Sequence, residues 1–374
     1  MTAVADRVIS ADCHVTEPPW VFDRVPREYR DRAPKLVRGA DGGDGWSFGG
    51  KPPSRTFGIE AMAGRARADF AKSGLRFDEI LPGNYDPDAH VHDMEIDGVD
   101  VSVVYPANAI FVYLEPDREL AHACLRSYND WILEDFQAAH PDRLVALPML
   151  PVDDGCGAAI AELERVLAKS ARGAFIPGMP GRPYHDPSYD PLWAAAAARE
   201  VPLTFHRTFG GPPPDQDFDE LVAQNVSMAG TVSRFFSGVR PLTYMVFNGV
   251  FDRHPRLRIV AGEVNFGWVP FWAQTMEQQY DVGAAMHDVA LARRPTEYLG
   301  ENIFVTGLDD TVGFGLIKSG SARLADACMF STDYPHSVTL WPHSADRIAE
   351  LTAGMAAEDR RKVLSGNAER VYRL

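Results

Sequence analysis

Basic residues are in short supply. The 374-residue chain has 37 lysines and arginines against 52 aspartates and glutamates, a formal net charge of −15. A surface that acidic argues against nucleic acid or an anionic membrane as the main partner. It leaves a small anionic substrate open, because a site sets its own local field. Cysteine is scarce too. The four, at 13, 124, 156 and 328, lie far apart and form no CxxC pair. In a chain of this size they read as reduced, mostly buried thiols of a cytoplasmic protein. No apolar run is long enough to span a bilayer, and the first seven residues carry no apolar signal core. No glycine fingerprint for a dinucleotide follows the first strand, where an open doubly wound sheet would carry it.

What is present is material for a large core, with 45% hydrophobic residues. The stretch from Ile9 to Glu17 begins as a short apolar strand. In an extended chain side chains alternate faces, so Asp12 and His14 point one way and Cys13 the other. A long excursion follows, residues 15–98, with loop or hairpin chemistry in the glycine-rich run 39–53 and a helical look over 59–72. Residues 85–97 then lead into the next strand. An insertion of this length at the edge of a compact domain is expected to be a lid or a partner surface.

From residue 99 the pattern is regular. Strands are expected at 101–106, 144–150, 174–178, 202–208, 258–264, 303–308 and 327–333. Between them, helices are expected at 116–140, from an Asp153/Asp154 cap to about 170, from Asp190, through the region to about 251, near 268–288 and near 312–320. A helical tail follows. With the first strand this makes eight strands separated mainly by helices. The pattern predicts a single α/β domain over 1–374, a (β/α)8 TIM barrel with a long insertion between its first two strands.

Chemistry in such a barrel gathers at the C-terminal strand ends. There the chain places Asp12 and His14, His206 with Arg207, Glu263, and Asp333 with His336. Two imidazoles and two carboxylates, Asp12, His14, His206 and Asp333, suit a divalent ion with a position left open. Each alone reads as a helix cap or an ordinary histidine; four together at strand ends are harder to dismiss.

Asp12-x-His14, the strand ending in His206 and the Ser-Thr-Asp333-Tyr-Pro-His336 run resemble the amidohydrolase superfamily. More narrowly they resemble its branch containing aminocarboxymuconate semialdehyde decarboxylase and aromatic acid decarboxylases. The resemblance extends over nearly the whole chain, through Tyr128-Asn-Asp-Trp131, Asp190-Pro-Leu-Trp193 and Ser365-Gly-Asn-Ala368 among others. It implies that Asp12, His14, His206 and Asp333 are the metal ligands and that Asp333 also handles a proton. Zn²⁺ is the expected ion, with Mn²⁺ the alternative. The chain departs from the pattern at three places. Asp12 stands where the first histidine of His-x-His is common. Strand four lacks a bridging lysine, which favours one metal. Glu263 stands where the decarboxylases carry a catalytic histidine.

The implied function is a carboxy-lyase releasing CO₂ from an unsaturated or aromatic acid, with Glu263 or His336 protonating the carbon. The alternative is a hydrolase that attacks an amide, lactone or activated carbonyl with water activated by the metal. Arg207 could clamp a substrate carboxylate or form a structural ion pair. Glu17 could contact substrate or orient a ligand imidazole. His254 is expected to be structural and remote from the metal. A second metal at His90 and His92 is not expected. The resemblance also implies a homodimer.

Overall fold

The computed structural model describes residues 7–206, 227–321 and 323–374. In chain order its strands are β1 (Ile9–His14), β2 (Lys35–Arg38), β3 (Asp44–Ser47), β4 (Val101–Tyr105), β5 (Leu144–Ala146), β6 (Ala174–Phe175), β7 (Leu203–His206), β8 (Ile259–Gly262), β9 (Ile303–Gly307) and β10 (Cys328–Phe330). β2 and β3 form an antiparallel hairpin inside the excursion. The other eight pair in parallel, as β1-β4-β5 and as β10-β9-β8-β7-β6.

Two seams join these arcs into the expected barrel. At one, Phe175 N donates to Pro148 O at 2.7 Å and Leu150 N to Phe175 O at 2.9 Å. At the other, Asp333 N donates to Asp12 O at 3.0 Å and His14 N to Tyr334 O at 2.6 Å. The second seam thus ties together the ends of β1 and β10, where the candidate ligands lie. The strands are short and buried along their whole length, as parallel strands covered on both faces must be. Tyr105, Phe175, Phe205 and Phe304 of these strands are among the largest fully buried side chains. The tail returns to the barrel, where Asn367 Nδ2 donates to Ala325 O and Cys328 O at 2.7 Å each. Among the described residues no helix is long and apolar enough to cross a membrane.

Several local expectations are corrected. Residues 59–72 hold only two 3₁₀ turns, Ile59–Ala61 and Arg67–Asp69. Gly64 interrupts any helix there with φ +76°, and the Trp341 ring lies 3.2 Å from where its Cβ would be. The lead-in at 85–97 is instead a helix, Pro87–Asp97. The Asp86 side chain accepts from Ala89 N and Gly98 closes the helix in the left-handed region. Asp153 and Asp154 do not cap the helix Cys156–Leu167, which starts after Gly155. Asp153 accepts from Gly181 N at 2.8 Å, and Asp154 is taken by Arg118 and His122. The helix expected over 116–140 runs α-helical over Arg118–Trp131. It then widens to a π turn at Ile132–Phe136 and tightens at Gln137–Ala139.

Candidate metal centre at the barrel mouth

β1 delivers its side chains as alternation requires. Cys13 turns away from the barrel axis and donates to Val103 O at 3.3 Å. Asp12 and His14 turn to the mouth and are buried. His14 Nδ1 lies 3.2 Å from Pro106 O. A carbonyl only accepts, so Nδ1 carries the hydrogen and the Nε2 lone pair faces inward. There Nε2 lies 3.4 Å from Asp12 Oδ1 and 3.3 Å from Asp333 Oδ1. His206, the last residue of β7, places Nε2 3.8 Å from Asp12 Oδ2 and 3.2 Å from Glu263 Oε2. His336 stacks on His14 with ring centroids 4.0 Å apart and sets Nδ1 2.9 Å from Asp333 Oδ1.

Asp12, His14 and His206 bring donor atoms within 4.8 Å of one another, and His14, Asp333 and His336 do the same. Asp12 Oδ1, His14 Nε2 and Asp333 Oδ2 are buried and have no hydrogen-bond partner among the described residues. Buried carboxylate oxygens in that state call for a cation. A divalent ion with nitrogen and oxygen donors fits these residues.

When His14 carries a second proton, the charges of the cluster bias one another. Burial pushes the Asp12 carboxyl up; His14 pulls it down, and the negative charges of Asp333 and Glu263 push it further up. Burial also works against the Asp333 anion, but the imidazoles of His336 and His14 overcome it and hold Asp333 well below its ordinary value. His336 is raised: burial disfavours its charge, and Asp333, Glu263 and Glu60 together outweigh burial.

The strand ends carry an unusual backbone. Glu263 and Asp333 have φ +51° and +48°, a left-handed conformation that side chains rarely adopt. At Glu263 the neighbouring Thr306 holds it. Thr306 Oγ1 accepts from Glu263 N at 2.7 Å and donates to Asp12 Oδ2 at 3.0 Å.

A cavity of about 310 Å³ opens onto this cluster. His14, His206, Glu263, Asp333 and His336 form its inner wall, and Ile110, Phe111 and Phe175 give an apolar side. Arg55, Glu60 and Lys72 reach it from the excursion, and Arg234 from the helix Met228–Arg234. Sequence reasoning did not single out these four, nor Thr306 or Pro106. Their part depends on contacts between distant segments, and only the length of the excursion hinted at a role near the mouth.

Glu17 does not line the cavity. Its two oxygens accept from Ala107 N at 2.9 Å and Asn108 N at 2.7 Å, and the residue is fully buried. It fixes the loop that presents the Pro106 carbonyl to His14. Arg207 lies outside the described residues. His254 is remote from the cluster, where its Nε2 lies 3.2 Å from Asp190 Oδ1. His90 and His92 lie on the helix Pro87–Asp97, the first buried and the second exposed.

The amidohydrolase family model matches residues 11–374. The chain belongs to the amidohydrolase family. Membership covers the whole barrel, from the Asp12-x-His14 strand to the tail. Among curated relatives in the family, the gamma-resorcylate decarboxylase of Rhizobium radiobacter is 28% identical over 298 residues, which is 77% of this chain and 87% of that protein. An amidohydrolase structure from Mycobacterium avium subsp. paratuberculosis K-10 superposes with TM-score 0.77 at 21% identity, covering 99% of this chain and 98% of that one. The 5-carboxyvanillate decarboxylase of Novosphingobium aromaticivorans DSM 12444, solved with manganese and 4-hydroxy-3-methoxy-5-nitrobenzoic acid, gives TM-score 0.70 at 19% identity, covering 99% and 97%.

Proposed function

We propose that this chain is a metal-dependent carboxy-lyase that releases CO₂ from an unsaturated or aromatic carboxylic acid. The observation that carries the reading is a decarboxylase relative matching over most of the chain. A mouth of buried carboxylates and imidazoles beside a cavity of about 310 Å³, room enough for a substituted ring, supports it.

In this reading Asp12, His14, His206 and Asp333 hold one divalent ion. Bound there, the ion supplies Lewis acidity to the substrate's carboxylate and an adjacent oxygen and steadies negative charge on the ring. The chain's own residues do the rest. Ile110, Phe111 and Phe175 take the ring face, while Lys72 and Arg234, with Arg55 paired to Glu60, bring positive charge to the cavity for a small aromatic anion. The C–CO₂ bond breaks with its electron pair left on the ring carbon, and that carbon takes up a proton. The two groups expected to carry it, Glu263 and His336, both line the cavity.

Two imidazole nitrogens with two carboxylate oxygens suit Zn²⁺ and Mn²⁺ alike, and manganese is the ion in the Novosphingobium relative. Residues 15–98 form the lid in this reading, since Arg55, Ile59, Glu60 and Lys72 of that segment face the cavity. The working form is a cytoplasmic homodimer, which light scattering of the purified protein checks for stoichiometry.

The deciding experiment incubates the enzyme, loaded separately with Mn²⁺ and Zn²⁺, with a panel of hydroxylated aromatic and unsaturated acids and traps released gas. CO₂ with a ring-protonated product is expected. Oxygen-18 from solvent appearing in a cleaved product, with no CO₂, would establish the hydrolase instead.

A further inference from the structure

Glu263, the residue after β8, has a carboxylate oxygen 3.2 Å from the expected ligand His206. In a shell with metal–donor bonds of about 2.0–2.2 Å, neighbouring donors lie roughly 3.0–3.5 Å apart. His14 Nε2 meets Asp12 Oδ1 at 3.4 Å and Asp333 Oδ1 at 3.3 Å, both within that range. Glu263 Oε2 lies 3.2 Å from His206 Nε2, which is the same edge length. The carboxylate is therefore spaced from an expected ligand as ligands are spaced from each other.

Three features of the chain put it there. Gly262 ends β8 with no side chain. A Cβ on it would lie 3.2 Å from Asp12 Oδ2, 3.2 Å from His206 Cδ2 and 3.0 Å from the Tyr105 ring. Glycine at 262 lets the strand end lie close against the cluster without crowding these atoms. The left-handed turn at Glu263, φ +51°, then redirects the chain immediately past the strand end. Thr306 fixes the outcome, since one hydroxyl holds both Glu263 N and Asp12 Oδ2. The Asp12 carboxylate and the Glu263 backbone share a common anchor.

We propose that Glu263 is a further ligand of the metal, beside Asp12, His14, His206 and Asp333. The inference rests on the metal-site reading above. A third carboxylate makes the donor set harder and favours Mn²⁺ over Zn²⁺. It also removes Glu263 from proton transfer and leaves that task to His336.

The test uses the full chain, stripped with a chelator and titrated with Mn²⁺ alone, free ion being read by electron paramagnetic resonance. Asp333→Ala serves as the control for the site as a whole. Wild type is expected to bind one equivalent. Glu263→Gln, which keeps the shape and removes the charge, is expected to bind 10-fold to 100-fold more weakly, and Glu263→Asp to fall between. Circular dichroism checks that each variant folds. Folded Glu263→Gln binding Mn²⁺ as tightly as wild type overturns the inference and leaves the metal site standing. Wild type binding no ion overturns the site itself. A structure of the Mn²⁺-loaded wild type needs no variant. A Glu263 oxygen within about 2.5 Å of the ion supports ligation, and one beyond about 3 Å overturns it.

Discussion

Between two helices of the barrel's outer layer, Asp190 meets the end of the segment Val250–Arg253. Arg253 gives it two hydrogen bonds of 3.0 Å each, and His254 adds a third contact at 3.2 Å. Both oxygens have donors, the charges match, and the group stands half open to solvent. At the barrel mouth the same residue types are assembled in the opposite way. Asp12 and Asp333 are wholly buried, and His14 faces them with an acceptor lone pair. Asp12 Oδ1 and Asp333 Oδ2 lack donors among the described residues. The outer group is complete as it stands. The inner one is complete only around a cation. Histidine and aspartate in proximity are thus no signal by themselves; the signal is whether their hydrogen-bonding capacity is already spent.

The sharpest way to break this contrast is to remove inner residues. His206→Ala and Asp333→Ala are each expected to lower turnover by at least about 10³-fold and to cut metal content below half an equivalent, measured by mass spectrometry of the purified protein. Either variant retaining full metal and near-normal turnover would show that the inner cluster is held together by something other than an ion.

The contrast also marks what could be read in advance. The barrel was legible because its strands are short runs such as Val101–Tyr105, punctuated by Pro and Gly and separated by helical spacing. Asp12 and His14 were legible because period-two alternation gives two side chains on one face without any tertiary knowledge. Glu17 was open to two roles, because its partners Ala107 and Asn108 lie about 90 positions away. Pro106 and Thr306 gave no signal: a backbone carbonyl and one hydroxyl have no motif. Residues 59–72 misled because their alanines and arginines favour a helix, while the left-handed backbone at Gly64 interrupts one. The helix Pro87–Asp97 was passed over although Asp86, Pro87 and Gly98 marked both its ends.

A smaller effect is expected from the layer behind the cluster. Thr306→Val keeps the volume and removes the hydroxyl that holds Asp12 and Glu263. Loss of such an outer contact typically costs 10–100-fold in metal affinity or activity, so a Mn²⁺ dissociation constant raised by roughly that factor is expected. The buried Glu263 N–H loses its acceptor as well, costing about 1–3 kcal/mol of folding stability in a urea titration. An unchanged dissociation constant would mean that the ligands hold their places unaided.

His90 offers a third kind of histidine, buried like His14 but satisfied by the backbone. Its Nδ1 donates to Gly83 O at 2.7 Å. Burial holds its pKa down from 6.5 to about 4, against a smaller upward pull from that bond. Below about pH 6.5 the unfolded chain takes up a proton that the folded chain refuses until about pH 4. Stability from this group is therefore whole above 6.5 and falls by about 1.4 kcal/mol per pH unit through that window. His90→Gln removes this one titration. The stability gap between wild type and variant is expected to shift against wild type by about 2 kcal/mol between pH 7.5 and pH 5. A gap that stays constant would show that His90 takes up its proton at the same pH folded as unfolded, and so that burial alone does not separate the kinds of histidine.

The smallest effect is expected from His254→Ala. Arg253 keeps both of its bonds to Asp190 when the imidazole is gone, so no buried charge is stranded. Partly exposed pairs of this kind contribute about 1 kcal/mol or less. Turnover and metal content should match wild type, with the melting temperature lowered by no more than a few degrees. Should activity vanish while circular dichroism and metal content stay at wild-type values, the outer group would be doing something at the mouth, and the division drawn between the two groups would fail.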